Sequence, residues 1–343
     1  MSLRHALSTP DAEKASLSTR LLALGIVLAL LVTVPIWVPN SYYVNICSQI
    51  LIWAVFALGL NILVGYAGLV SLGQSGLFGI ACYTAAYLVS IGTPHFEAGL
   101  AAIGLAIVTS AVFAVLSLRT TGISFLMITL ALGEILWGIA YRWVSVTGGD
   151  NGISVNTRPT PFGISLASPS AFYYSTLIIF LVVVAAMYVF VESPFGISLR
   201  GTRDQARRMT TLGYNVWLIR FLAFMFSGLI AGVAGLQFFY YEKFVSPYVL
   251  SLSTSATVLL MVISGGVATL LGPIVGAALV IVMQYVVSAY IQQWNLVLGA
   301  IFVAIILFMP EGLVPGSLRL WRALRRRRGS APAVVTVPVE PES

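Results

Sequence analysis

Apolar residues run along this chain in long unbroken blocks, set apart by short polar joints. A helix needs about 20 apolar residues to cross a bilayer. On that basis the pattern predicts about ten helical spans: 21–38, 43–63, 66–90, 97–117, 121–141, 172–191, 219–240, 254–271, 273–291 and 295–312. The blocks are continuous, whereas a β-barrel would show short alternating strands. The expected fold is all-α: a polytopic transmembrane helical bundle.

Composition agrees. Of 343 residues 59% are hydrophobic and 8% charged, with a mean hydropathy of +0.98, against roughly 25% charged in soluble domains. No soluble fold of this size hides so much apolar surface. The run 21–37 ends in Val34-Pro35-Ile36-Trp37, without the small-residue pattern of a cleaved signal peptide. It reads as a retained first helix.

The net charge of +7 does not point to nucleic acid, because the cations cluster beside the apolar blocks. With the N-terminus inside, 15 Lys and Arg residues fall on the cytoplasmic side and 3 (Arg142, Arg158, Lys243) fall outside, as the positive-inside rule requires. Both termini are then cytoplasmic. The chain divides into an arm (1–20), a membrane domain (21–315) with an inner loop (193–220) and an outer loop (142–171), and a tail (316–343). The basic stretch Arg319–Arg328 suits anionic lipid headgroups, and Gly329–Ser343 has the composition of a disordered end. Cys47 and Cys82 offer no disulfide framework, and His5 and His95 stand far apart, so no metal or cofactor is expected.

Two glycine-rich regions depart from ordinary span chemistry. Gly65, Gly68, Gly73, Gly76 and Gly79 fall among Ser71, Gln74 and Ser75. Such density makes a regular helix costly, at about 1 kcal/mol per glycine. One reading is a broken helix lining a translocation pathway; the other is close packing of a neighbouring helix on small residues. The second region, Ile263–Gly276, carries Gly265-Gly266 and Gly272-Pro273 and predicts a sharp inner turn. Glu134, close to Trp137, is the one acidic residue well inside a predicted span. A carboxylate there is a pathway candidate by default, or else a partner for Arg142.

The chain has two lysines, Lys14 and Lys243, and neither completes a phosphate-cradling Gly-x-x-x-x-Gly-Lys loop. No span carries the several ionisable groups of a proton-driven transporter. The chain lacks an evident energy source, which fits a subunit driven by a partner.

The loop from Ser193 then becomes interpretable. Ser193-Pro194-Phe195-Gly196, Arg203-Asp204-Gln205-Ala206-Arg207, Leu212-Gly213-Tyr214-Asn215 and Arg220–Phe224 resemble the cytoplasmic loop of ABC-importer permeases. The match is to the branched-chain amino acid (LivH/LivM) family. In order, Gly65–Gln74, Thr129-Leu130-Ala131 with Glu134, Thr147–Gly152, Ala231–Gly235, Val245-Ser246-Pro247, Gly265–Pro273 and Pro310–Leu313 are similar to that family, LivM-type, over about residues 40–315.

The resemblance implies a permease subunit of a binding-protein-dependent importer for branched-chain or related amino acids in a bacterial inner membrane. Its partners would be a second, LivH-like permease, two cytoplasmic ATPases that bind ATP and Mg, and a periplasmic binding protein. Urea, short amides and aromatic acids are alternative substrates, and a self-sufficient secondary transporter is the rival class. Arg203, Asp204, Arg207, Arg208, Gly213 and Tyr214 would form the ATPase-coupling loop. Gly65, Gly68, Ser71, Gln74, Ser75, Glu134 and Trp137 would be pathway candidates, and Asp150 a contact for the binding protein. One departure stands out: relatives carry small alanines before the Leu-Gly pair, where this chain has Met209-Thr210-Thr211.

Overall fold

The computed structural model describes residues 40–155 and 168–290 throughout, with positions 31–33 and 35 and scattered positions between 296 and 316. The arm 1–20, most of the predicted spans 21–38 and 295–312, the part 156–167 of the 142–171 loop, and the tail beyond 316 lie outside the described residues.

The helices are α1 (Ser41–Asn61), α2 (Gln74–Ser90), α3 (His95–Ser117), α4 (Ile123–Arg142), the short α5 (Val144–Thr147), α6 (Pro169–Glu192), α7 (Pro194–Thr211), α8 (Val216–Glu242), α9 (Leu252–Gly265) and α10 (Leu271–Ser288). A π-type turn, Ile62–Ala67, extends α1. The strands β1 (Ile153–Ser154) and β2 (Phe244–Val245) pair antiparallel, with Ile153 opposite Val245. Six of these helical segments are long and apolar enough to cross a membrane: α1 with its π-type extension, α3, α4, α6, α8 and α10. The chain is a multi-pass membrane protein.

Two predicted spans are corrected. The block 66–90 is not one helix. The chain leaves helical geometry at Gly68 (φ +69°), runs irregularly, and restarts as α2 at Gln74. Block 254–271 likewise ends as helix at Gly265. α2, at 17 residues, and α9, at 14, are both shorter than any of the six candidate spans. Hydropathy averages across such breaks, because Leu69, Val70 and Leu72 remain apolar without being helical.

α1 and α8 form the centre. α1 is buried around most of its circumference, packed against α6, α8, α9 and α10, while α8 packs on α1, α2 and α3. Lipid is as apolar as leucine, so helices associate here through close packing and internal hydrogen bonds rather than through escape from water. The glycines of α8 show how. A Cβ on Gly232 would stand 2.8 Å from that of Ala106 on α3, and Gly228 and Gly235 lie flush against Ser110 and the Phe78 carbonyl. The family-like Ala231–Gly235 stretch is a packing surface.

α1, α3, α6 and α9 end toward the loop that carries Arg203, and α2, α4 and α8 end toward the loop that carries Asp150. These two ends frame the candidate site.

Candidate functional site

α7 is amphipathic and interrupted. Ser193 accepts from the Gly196 amide, capping its start, and Pro194 occupies the first turn, where the missing N–H costs nothing. Gln205 leaves helical geometry (φ −150°, ψ 83°), dividing α7 into two short helices. The second ends at Gly213 (φ +87°), where the Gly213 amide donates to Thr210 and the Tyr214 amide to Met209. This is the Schellman pattern, which requires a residue free of a Cβ penalty, and it ends the helix at Gly213.

The arginines of this loop divide by use. Arg200 donates to the Val191 carbonyl (3.1 Å) and Arg220 to that of Thr202 (3.2 Å), both tying α7 to its own subunit. Arg203 donates to the Gly65 carbonyl and pairs with Asp204 at 3.2 Å, the one ion pair among the described residues. Arg207 and Arg208 are exposed, as are Leu212 and Tyr214. The Met209-Thr210-Thr211 departure has a structural explanation. Met209 folds back over Gly201, its sulfur 2.8 Å from where a Cβ would stand, while Thr210 and Thr211 bond to carbonyls of their own helix. The outward face is left to Arg207, Arg208, the two threonines, Leu212 and Tyr214.

The first glycine region is both broken, at Gly68, and tightly packed. A Cβ on Gly65 would stand 2.6 Å from the amide nitrogen of Ala268, and Gly73 lies against the Thr129 carbonyl. Ser71, Gln74 and Ser75 are fully or almost fully buried and bonded within the subunit. Gln74 donates to Ser227 (3.1 Å), which donates to the Gly59 carbonyl (2.7 Å), while the Gln74 side-chain oxygen has no partner. Ser255 accepts from the Ser75 amide (3.0 Å), and the Ser75 hydroxyl donates to the Leu250 carbonyl (3.0 Å). The starts of α2 and α9, the two shortened helices, therefore meet here.

The second glycine region packs beside the first. Asn61 donates to the Thr269 carbonyl (2.9 Å) and accepts from the Ala268 amide (3.1 Å), bracketing the sharp turn after α9. Sequence reading passed over Asn61, Ser227 and Ser255. Asn61 was signalled only as a polar residue in an apolar block; the two serines carried no distinguishing signal.

Glu134 sits half-buried on α4 and does not pair with Arg142; two helical turns, about 12 Å of rise, separate them. Trp137 stacks on Tyr141 at 5.3 Å. Met127, Ala131, Glu134, Gly138 and Tyr141 recur at helical spacing, and all but the half-buried Glu134 and Gly138 are exposed. Just beyond the end of α4, Asp150 lies exposed on the tip of a turn built by Gly148, Gly149 and Gly152, each at positive φ. Thr147 braces it, donating to the Ala140 and Trp143 carbonyls and accepting from the Gly149 amide.

Comparison with known proteins identifies the family. The family model described as "Branched-chain amino acid transport system / permease component" matches residues 42–307. The chain belongs to that permease family. It is similar to the high-affinity branched-chain amino acid transport permease LivM of Salmonella typhimurium strain LT2, 30% identical over 316 residues, covering 84% of this chain and 74% of the relative. LivM of Escherichia coli strain K12 is also 30% identical, over 298 residues, covering 79% and 70%. No solved structure matches. The permease is a transport subunit and not a catalytic enzyme.

Proposed function

We propose that this permease, paired with a second permease subunit, forms the membrane path of an ATP-driven importer for branched-chain or related amino acids in a bacterial inner membrane. Two ATPase subunits, which hold the ATP and Mg, dock beneath α7, and a periplasmic binding protein delivers substrate at the Asp150 end. The observation that carries this reading is the outward face of α7. Arg207 and Arg208 stand free beside exposed Leu212 and Tyr214, on a helix otherwise anchored to its own subunit. Arginine forks bind partner carboxylates in a fixed geometry, and the apolar pair supplies contact area.

The charge distribution supports the orientation. Among the described residues Arg119, Arg200, Arg203, Arg207, Arg208 and Arg220 gather at the α7 end, whereas Arg142 and Lys243 are the cations opposite. The α4 stripe through Glu134 supports a second subunit. A carboxylate turned to lipid costs several kcal/mol, so this face meets protein or the water-filled pathway.

Reconstitution in liposomes tests the reading. Uptake of radiolabelled leucine is expected only when the ATPases, ATP and the binding protein are all present. Uptake by the permease alone under an ion gradient would replace the proposal with a secondary transporter. A thermal shift of the binding protein with urea, and none with leucine, would move the substrate class.

A further inference from the structure

Arg203 differs from the other loop arginines in what it holds. Its guanidinium donates to Gly65, a carbonyl near the end of the α1 extension. The chain turns away at Gly68, and the Leu69 amide bonds to Leu63, so no later amide of the helix takes up the Gly65 oxygen. A cation there meets an orphan helix-terminal carbonyl and the negative end of the helix dipole. The arginine stem lies across Gly68, whose Cβ, were it present, would stand 2.6 Å from the Arg203 Cγ. Asp204 holds the guanidinium from the other side. Arg203 is thus on α7 by sequence and at the break by contact, and the break leads directly to Gln74 and Ser75.

Resting on the reading of α7 as the ATPase-facing element, we propose that Arg203 is a positioning residue that transmits displacement of α7 to the broken segment Gly65–Gly73. It acts inside the subunit and is not part of the face offered to the ATPase. When the ATPases move α7, Arg203 draws the end of α1 with it, and the start of α2 follows through the short irregular stretch. Arg207 and Arg208 grip the ATPase, and Arg203 grips the permease. The two functions are separable.

The test uses the complete transporter in liposomes, with ATP hydrolysis, co-purified ATPase and leucine uptake measured on one preparation. Arg203→Gln is expected to retain the ATPase subunits and their hydrolysis while leucine moved per ATP falls about tenfold. Arg203→Lys keeps a charged donor near Gly65 and is expected to recover part of that ratio. Gly68→Ala leaves every charge in place but displaces the Arg203 stem, and is expected to lower the ratio as well. It decides the matter alone if Arg203→Gln fails to fold. Wild-type leucine per ATP in either folded variant overturns the proposal. Loss of bound ATPase in Arg203→Gln also overturns it, since Arg203 would then be a docking residue. Failure of the underlying reading looks different: Arg207→Gln combined with Arg208→Gln would then leave ATPase binding and uptake intact.

Discussion

The hydroxyls of Ser75 and Ser255 lie 2.7 Å apart, joining the first turns of α2 and α9 in the interior of the bundle. Both helices are shorter than the six candidate spans, and each begins where the other does. Ser255→Ala removes the acceptor for the buried Ser75 amide. Leaving a buried donor unsatisfied costs about 1–3 kcal/mol, so the unfolding midpoint in detergent is expected to fall. Ser75→Ala on that background should add less than it does alone, because one network is being removed twice.

Asn61 braces the inner turn with both halves of its carboxamide. Asn61→Asp keeps the acceptor for Ala268 but loses the donor to Thr269. It is expected to destabilise the permease, and Asn61→Leu more so, by about 1–3 kcal/mol. Thermal denaturation of the purified subunit measures both. A leucine variant as stable as wild type would remove the brace from this account.

Gly213 holds a backbone angle of φ +87° with open space around its α-carbon. Gly213→Ala is therefore expected to cost only about 1 kcal/mol, from the backbone alone. Gly213→Pro loses the amide and cannot reach the angle, so the second half of α7 should unwind, with loss of ATPase binding and coupled uptake. Asp204→Arg, which sets a second cation against Arg203, is expected instead to keep the ATPase subunits bound while the leucine moved per ATP falls. Co-purification of the ATPase subunits with each variant provides the check.

Glu134→Gln keeps shape and hydrogen-bonding reach while removing charge from the exposed stripe of α4. A pathway role predicts that leucine uptake falls about tenfold with the unfolding midpoint unchanged. Full uptake with a lowered midpoint would reduce Glu134 to a structural residue.

Asp150 projects from a turn whose geometry is fixed by other residues. Asp150→Ala is expected to leave the turn intact yet weaken stimulation of ATP hydrolysis by the binding protein, read as a higher half-saturating concentration. Gly152→Ala, by contrast, would press a methyl group onto the Val245 carbonyl and break the β1–β2 pairing. Equal stimulation in wild type and Asp150→Ala would remove that contact.

Much of the fold was legible because a membrane span writes itself as composition. Six predicted blocks coincide with described helices, and the loop from Ser193 announced itself by its charges. The breaks in 66–90 and 254–271 were less legible. A run such as Gly68-Leu69-Val70 stays apolar whether or not it is helical, so hydropathy passes over it. The glycines marked the place without giving the form. The bonds that fix the site were hidden for another reason. Gln74 meets Ser227 and Asn61 meets Thr269 across 153 and 208 residues of sequence, and such pairings are set by packing. The loop motif named Arg203 correctly as a loop residue, but nothing in the motif told that it bonds to the Gly65 carbonyl.

The β1–β2 pairing has a mechanical meaning that its size conceals. It rivets the Asp150 turn to the strand that leads through Pro247–Leu250 into α9, with no free slack between them. Arg203 makes a comparable rivet at the other end of the bundle, onto the segment that leads into α2. Ser75 and Ser255 are thus the meeting point of two short linkages, one from each end of the bundle, and under the proposed coupling a tug on either linkage would arrive at the same pair of hydroxyls.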